Sequence, residues 1–332
     1  MAQTFSAFQV TQDEPKTFSR AIVERTLDEL PEGELVVQVA YSSLNFKDAL
    51  SATGNPGVTR KFPHTPGIDA AGVVISCSDG SFATGDEVIV TSYDLGMGTA
   101  GGFGQMIRIP SRWALPLPAG LTPRTSMMYG TAGLTAALSV QELVNSGITP
   151  DDGSILVTGA TGGVGSLAVA ILAKAGYSVT AATGKMDEAD HLRQLGATEV
   201  IERDQVTANN DRPMLKPVWA GVIDCVGGDT LAAAIKATKY GGAVTCCGLV
   251  ASPALELNVF PFILRGVRLI GIDSAECPMA KRIETWNKLA TCWNVNQLEK
   301  MVDEVDLGGL EQAISAMLKG KLKRRVLVKL PG

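Results

Sequence analysis

Ser154-Ile-Leu-Val-Thr-Gly-Ala-Thr-Gly-Gly-Val-Gly165 is the stretch whose reading decides the fold. An apolar run, Ile155–Thr158, feeds straight into a glycine cluster, and an apolar helical pattern, Leu167–Lys174, follows. Glycines at such a corner let the backbone approach a pyrophosphate, whose charge sits at the helix amino terminus. The spacing is Gly159-x-x-Gly162-Gly163-x-Gly165 rather than G-x-G-x-x-G. A glycine-rich corner used only for close packing is the competing reading. The strand before, the helix after and a second strand at Ser178–Ala182 favour the dinucleotide. Residues 153–173 carry no charge, which raises the question of a membrane span. Their glycines, with Ser154, Thr158 and Thr161, read better as strand, turn and helix.

Outward from this turn, the same alternation continues. Helical Ser126–Val144 precedes it, and the short apolar strands Glu199–Ile201, Gly221–Asp224, Ala243–Cys246 and Val267–Ile272 follow. Strand–helix alternation of this kind predicts an α/β fold with a doubly wound parallel sheet, a Rossmann domain over 124–275. The first third reads differently. Leu35, Val37, Val39 and Tyr41 alternate with Val36, Gln38, Ala40 and Ser42, and Ile68–Ser76, Glu87–Ser92 and Gln105–Ile109 are further short strands between Gly and Pro clusters. A β-rich domain over 1–123 is expected. A helix from Met279 to about Val295 and a strand Arg325–Leu330 close the chain.

The end of the second Rossmann strand selects the cofactor. An NAD site usually places Asp or Glu there, on the ribose hydroxyl. Here it reads Thr183-Gly184-Lys185, with no carboxylate before Asp187, and Arg203 stands just past the third strand. A hydroxyl and two cations suit a 2′-phosphate, to which Arg offers fork-like donors, so NADPH is the expected cofactor. Taken singly, each cation is an ordinary solvated charge.

Composition narrows the classes. The 332 residues carry 29 Lys+Arg against 34 Asp+Glu, a formal net charge of -5, so an overall basic footprint for nucleic acid is absent. The six cysteines show no C-x-x-C spacing and read as reduced, buried small hydrophobes. The amino terminus, MAQTFSAFQV, has no basic region followed by an apolar run, so a soluble, cytoplasmic protein is expected. There are two histidines, His64 and His191, and no cluster with zinc-ligand spacing. No G-x-S-x-G elbow is present.

Four segments together resemble the medium-chain dehydrogenase/reductase superfamily: the phosphate turn, Pro66-Gly-Ile-Asp-Ala-Ala-Gly72, Gly85-Asp-Glu-Val88 and Gly130-Thr-Ala-Gly-Leu-Thr-Ala136. Ser42-Ser-Leu-Asn-Phe-Lys-Asp-Ala-Leu50, Pro261-Phe-Ile-Leu-Arg265 and Gly271-Ile-Asp-Ser274 narrow the likeness to its zinc-free quinone oxidoreductase-like branch, the acryloyl-CoA reductase (NADPH) group. The resemblance implies a GroES-like catalytic domain over 1–123, completed by 276–332, an inserted Rossmann domain, a cofactor cleft and a homodimer. Zinc-dependent relatives carry a Cys near Asn45 and a Gly-His-Glu where this chain has Gly67-Ile68-Asp69.

Carried over by position, Thr161, Gly162, Gly163 and Val164 hold the pyrophosphate, and Thr183, Gly184, Lys185 and Arg203 the adenosine phosphate. Phe46 and Thr131 lie near the nicotinamide; Gly248, Leu249, Ile272 and Ser274 line that end, and Arg325 returns from the tail. Relatives often have Tyr in place of Phe46, so a role needing that hydroxyl is unavailable. The implied reaction is reduction of acryloyl-CoA to propanoyl-CoA. Asn45 is the first candidate for orienting substrate or nicotinamide, and Asp48 orders the same loop or joins Lys47 in a proton path. A capped turn is the alternative for both. Tyr93 and Tyr129 are weaker proton-donor candidates, and Arg60-Lys61 or Arg324-Arg325 are candidate grips for coenzyme A. A general quinone or enone reductase and a non-catalytic NADPH-binding protein are the alternatives.

Overall fold

Short, continuously apolar strands need cover on both faces, which a parallel sheet flanked by helices supplies. The computed structural model describes residues 4–208 and 210–331. It places the strands as β1 (Ile155–Thr158), β2 (Val179–Thr183), β3 (Glu199–Glu202), β4 (Trp219–Asp224), β5 (Thr238–Cys246) and β6 (Arg268–Gly271). Their order is β3-β2-β1-β4-β5-β6, with every neighbouring pair parallel. This is the doubly wound dinucleotide-binding order, and it reverses between β1 and β4. β1 and β2 are buried along their whole lengths. Leu156, Val222 and Val244 from the sheet meet Leu231 and Ile235 from the helix Gly228–Lys236 in one core.

The chain divides into two compact units. One comprises Met1–Thr131, Ala275–Ala290 and Leu298–Gly332; the other comprises Ala132–Ser274 and Thr291–Gln297. In the first unit the strand Leu35–Leu44 is central. It pairs antiparallel with Asp69–Cys77, with Met106–Ile109 and with the returning tail strand Arg325–Lys329. The core there joins Val37, Val39, Val90 and Ile107 to Val326 and Val328, which is why the tail belongs to this unit.

Three features depart from the sequence expectation. The hairpin Thr4–Glu14/Thr17–Thr26 is absent from that expectation, because its second strand has no buried residue and its apolar residues, Phe18 and Ala21-Ile22-Val23, do not alternate. The expected helix to Val295 stops at Ala290, and residues 291–297 pack with the other unit. The change of unit expected after residue 123 falls after Thr131. The helix Pro123–Asn145 runs through that point and is broken at Gly130, with φ 52° and ψ −156°. No helix of the described residues is long and apolar enough to cross a membrane.

Gly130 occupies backbone space that is essentially glycine-only. A Cβ there would stand 2.4 Å from Asp69 Oδ2 and 2.5 Å from Ser43 Oγ. Gly130→Ala should therefore cost about 2 kcal/mol or more of unfolding free energy, measured by urea denaturation. A variant that unfolds at the wild-type midpoint would contradict this account of the break.

Candidate functional site

The second unit holds the glycine turn. Gly159 is left-handed (φ 59°), and its carbonyl accepts the Gly162 N–H at 2.8 Å. A Cβ on Gly165 would lie 2.4 Å from that same carbonyl, so the third glycine is required by the close return of the turn. The helix Gly163–Lys174 starts here, and Ser166 is the residue whose N–H closes its first turn, on the Gly162 carbonyl. The N–H groups of Gly163, Val164 and Gly165 thus have no acceptor within the helix, the arrangement that binds a phosphate. Thr161 Oγ1 lies 3.0 Å from Thr183 Oγ1, so the turn and the end of β2 are tied side by side. The Lys185 N–H donates to Thr183 Oγ1. A Cβ on Gly184 would sit 3.3 Å from Arg203 Cδ and Nε, so the missing side chain admits the guanidinium. Thr161, Thr183, Gly184, Lys185 and Arg203 therefore converge, and Arg203 remains solvent-facing with Asp204 beside it.

The ends of β4, β5 and β6 adjoin. Asp224, fully buried, accepts Thr158 Oγ1 at 2.6 Å and the N–H groups of Val226 and Gly227. Burial pushes its carboxyl upward, against those donors. A Cβ on Gly248 would collide with the Cys225 carbonyl at 2.1 Å, so the turns after β4 and β5 pack backbone to backbone. Leu249 is exposed. Ile272 N–H donates to the Cys246 carbonyl, and Ser274 Oγ accepts from Thr135. The cradle fits a dinucleotide: it combines donor N–H groups, absent Cβ atoms and two cations.

The first unit is organised by a residue the sequence reading quoted but did not select, Asp69. It is fully buried, and each contact brings it a donor. Oδ2 accepts Ser43 Oγ at 2.5 Å and Asn45 Nδ2 at 2.7 Å; Oδ1 accepts Thr131 Oγ1 at 2.6 Å, and Thr131 N–H reaches both oxygens at 3.0 Å. The available signal was its place in Gly67-Ile68-Asp69, where zinc-dependent relatives carry Gly-His-Glu. Asp48 lies beneath. Its Oδ2 accepts the Asn45 N–H, and its Oδ1 accepts those of Gly67 and Ile68. Asp48 is fully buried and caps this turn, and Lys47 beside it is exposed. Burial, reinforced by the charge of Asp69, pushes the Asp48 carboxyl up to about 7, against the N–H donors of Asn45 and Ile68. Asn45, half-buried, and Phe46, exposed, stand at the head of the helix Phe46–Ser51.

Other candidates are placed differently. Arg325 is buried, with Nε on the Met128 carbonyl and Nη2 on Ser43 Oγ; it braces the Asp69 cluster from inside. Burial pulls its guanidinium downward, opposed by Asp69 and Asp48. Arg324, the other member of that candidate pair, is half-exposed and faces Asp303 at 3.5 Å. Arg60 and Lys61 are exposed. Tyr129 is fully buried, edge-on to Trp286. The Tyr93 hydroxyl donates to the Cys277 carbonyl. His64 is buried on the Gly96 carbonyl.

Residues 163–291 match the zinc-binding dehydrogenase family and residues 31–119 the alcohol dehydrogenase GroES-like domain. The residues present do not fit a zinc ion: among the described residues no three His, Cys, Asp or Glu side chains come together as ligands. Acrylyl-CoA reductase AcuI of Ruegeria pomeroyi is 43% identical over 98% of this chain and 98% of its own length. YhfP of Bacillus subtilis, named as a quinone oxidoreductase, is 44% identical over 97% of this chain and 99% of its own. The B. subtilis yhfP structure, solved with NAD bound, superposes with a TM-score of 0.97 over 99% of this chain and 100% of that one. The yhdH oxidoreductase of Salmonella enterica, solved with NADP, is 40% identical, with a TM-score of 0.95 over 98% of this chain and 100% of that one.

The Asp48 environment sets a pH dependence. The folded carboxyl keeps its proton to about 7, while an unfolded one releases it near about 3.9. The folded state then binds more protons between these values, so stability is fully present below about 4 and falls as pH rises through about 7. Urea unfolding at about pH 5 and about pH 8 should show this fall in the wild type and a smaller one in Asp48→Asn. Equal pH dependence in both proteins would assign the fall elsewhere.

Proposed function

This chain belongs to the medium-chain dehydrogenase/reductase superfamily, in its acryloyl-CoA reductase-like group, and on that premise we propose that it is an NADPH-dependent oxidoreductase acting on a CH–CH group, which reduces acryloyl-CoA to propanoyl-CoA. The observation that carries the reading is the Gly159–Gly165 turn at the reversal of strand order, with Lys185 and Arg203 where an NAD site has a carboxylate. NADPH, when bound, supplies a hydride to the terminal carbon of the activated alkene, whose thioester oxygen takes up charge before the carbon next to the carbonyl is protonated.

The chain's residues bind and orient. Thr161, Gly162, Gly163 and Val164 receive the pyrophosphate on the helix amino terminus. Thr183, Gly184, Lys185 and Arg203 receive the 2′-phosphate. Gly248, Leu249, Ile272 and Ser274 are read as the lining of the nicotinamide end, with Phe46 and Thr131 as further nicotinamide-binding candidates by position. Asn45 orients the substrate. Asp69 holds Asn45 and Thr131 in place before any ligand arrives, so little reorganisation is left for the reaction. Arg60 and Lys61 offer charge to the phosphates of coenzyme A. The name and NAD-bound structure of YhfP favour a second reading, a quinone or enone reductase of looser cofactor choice. We further read the protein as a cytoplasmic homodimer. β6 ends the sheet order, and the helix Phe260–Arg265 before it exposes Ile263 and Leu264.

NADPH oxidation should be fastest with acryloyl-CoA, slower with free acrylate and slower with a benzoquinone; the reverse order would select the second reading. Lys185→Ala combined with Arg203→Ala should lower kcat/KM for NADPH by about 10-fold or more and leave NADH unchanged. A wild type that uses both cofactors equally would remove the 2′-phosphate assignment. Asn45→Ala should slow single-turnover hydride transfer by about 10-fold or more, through loss of orientation. An unchanged rate would make Asn45 a cap alone.

A further inference from the structure

The sheet register of the second unit brings two thiols together. Asp224, which ends β4, pairs with Cys246, which ends β5, so Cys225 and Cys247 are the next residues along each chain. The pairing carries on past the strand ends. Cys247 N–H donates to the Asp224 carbonyl at 3.0 Å, and Gly248, lacking a Cβ, lets the two turns close backbone to backbone. The Cys225 and Cys247 sulfurs stand 3.8 Å apart as a result. Neighbouring strands run about 4.8 Å apart, within the Cα separation that a disulfide spans. A disulfide holds its sulfurs about 2.05 Å apart, so each sulfur has about 1 Å to travel.

Cys246 takes no part in this contact. Successive side chains of a strand point to opposite faces, and Cys246 packs on the core that holds Leu156, Val222 and Val244. Of the six cysteines, expected as buried small hydrophobes, only Cys277 is buried. Cys225 and Cys247 are each half-buried, within reach of a small reagent.

We propose that Cys225 and Cys247 are a redox-active thiol pair, closed to a disulfide by exchange with a low-molecular-weight disulfide, and that a bound dinucleotide guards the pair by covering the turn after β5. The pairing stands on the geometry of the two strand ends. The guarding rests on the cofactor reading above, in which Gly248 and Leu249 line the nicotinamide end. In the exchange, the Cys247 thiolate attacks one sulfur of the reagent, whose S–S bond breaks and releases one thiolate. The Cys225 thiolate then attacks the Cys247 sulfur of this mixed disulfide and releases the second. The protons lost by the two cysteines pass through water to the two released thiolates, so the pair is oxidised and the reagent reduced by the same two electrons. Cys247 reacts first, because the Cys225 thiol is pushed well above its ordinary range by the adjoining Cys247 thiol, by desolvation and by nearby charge. A Cys247 held in a mixed disulfide no longer exerts that push.

The test uses the full chain carrying Cys292→Ser, which removes the exposed thiol, and oxidised glutathione as the reagent. Alkylation of the remaining thiols, proteolysis and mass spectrometry should find one cross-link, Cys225 to Cys247, that dithiothreitol opens. Cys246→Ser should keep the cross-link; Cys225→Ser and Cys247→Ser should each abolish it. NADPH at about ten times its dissociation constant, set by fluorescence titration, should slow closure about 10-fold. 2′,5′-ADP, which has no nicotinamide, should leave the rate unchanged. Thiols that stay free in excess oxidised glutathione, or a link through Cys246, overturn the pair. Closure that is equally fast with saturating NADPH, or slowed as much by 2′,5′-ADP, overturns the guard. A chain that forms the cross-link but binds no NADPH supports the pair and overturns the cofactor reading, and the guard with it.

Discussion

Asp69 is a carboxylate taken wholly out of water, and the local architecture of the first unit exists to satisfy it. A buried charge is tolerable only when its lone pairs are filled and a counter-charge is near. Ser43, Asn45 and Thr131 fill the lone pairs, and Arg325 reaches the cluster through Ser43. These four residues come from three separate stretches of chain: the strand Leu35–Leu44 and the turn after it, the broken helix, and the tail. Each must arrive for the charge to be compensated. The Gly130 break follows, because the Thr131 N–H can point at Asp69 only if the helix is interrupted one residue earlier. The return of the tail follows too, since Arg325 braces the same cluster.

The second unit repeats the device on a smaller scale. Asp224 at the end of β4 receives Thr158 from the end of β1 and two backbone N–H groups of its own turn. This tie joins the two strands between which the sheet order reverses, where a doubly wound fold binds its ligand. Rigidity at that point keeps the Gly159–Gly165 turn presented on a fixed edge. In both units a buried acid holds backbone and hydroxyl groups in orientations that a ligand would otherwise have to impose.

Buried polar clusters of this kind are poor sources of net stability, because desolvation offsets most of the attraction. Their return is orientation. The upward push on the Asp48 and Asp224 carboxyls records that opposition.

Residue order alone determined the class of the fold and the phosphate turn, because both are written in local periodicity and in glycine spacing. Strands β1 and β2 end where their apolar runs end, and Thr161, Thr183 and Lys185 stand within a few residues of those ends. The convergence of Arg203 on Gly184 was legible as a charge in the right place, though its distance was not. Only the tertiary structure decided the rest. The exposed hairpin partner Thr17–Thr26 carries no apolar alternation to read. Asp69 and Arg325 look like ordinary polar residues in sequence, since their partners lie 24 to 282 positions away. Whether an acid is a solvated charge or the centre of a buried cluster depends on which distant donors fold onto it, and no local pattern encodes that.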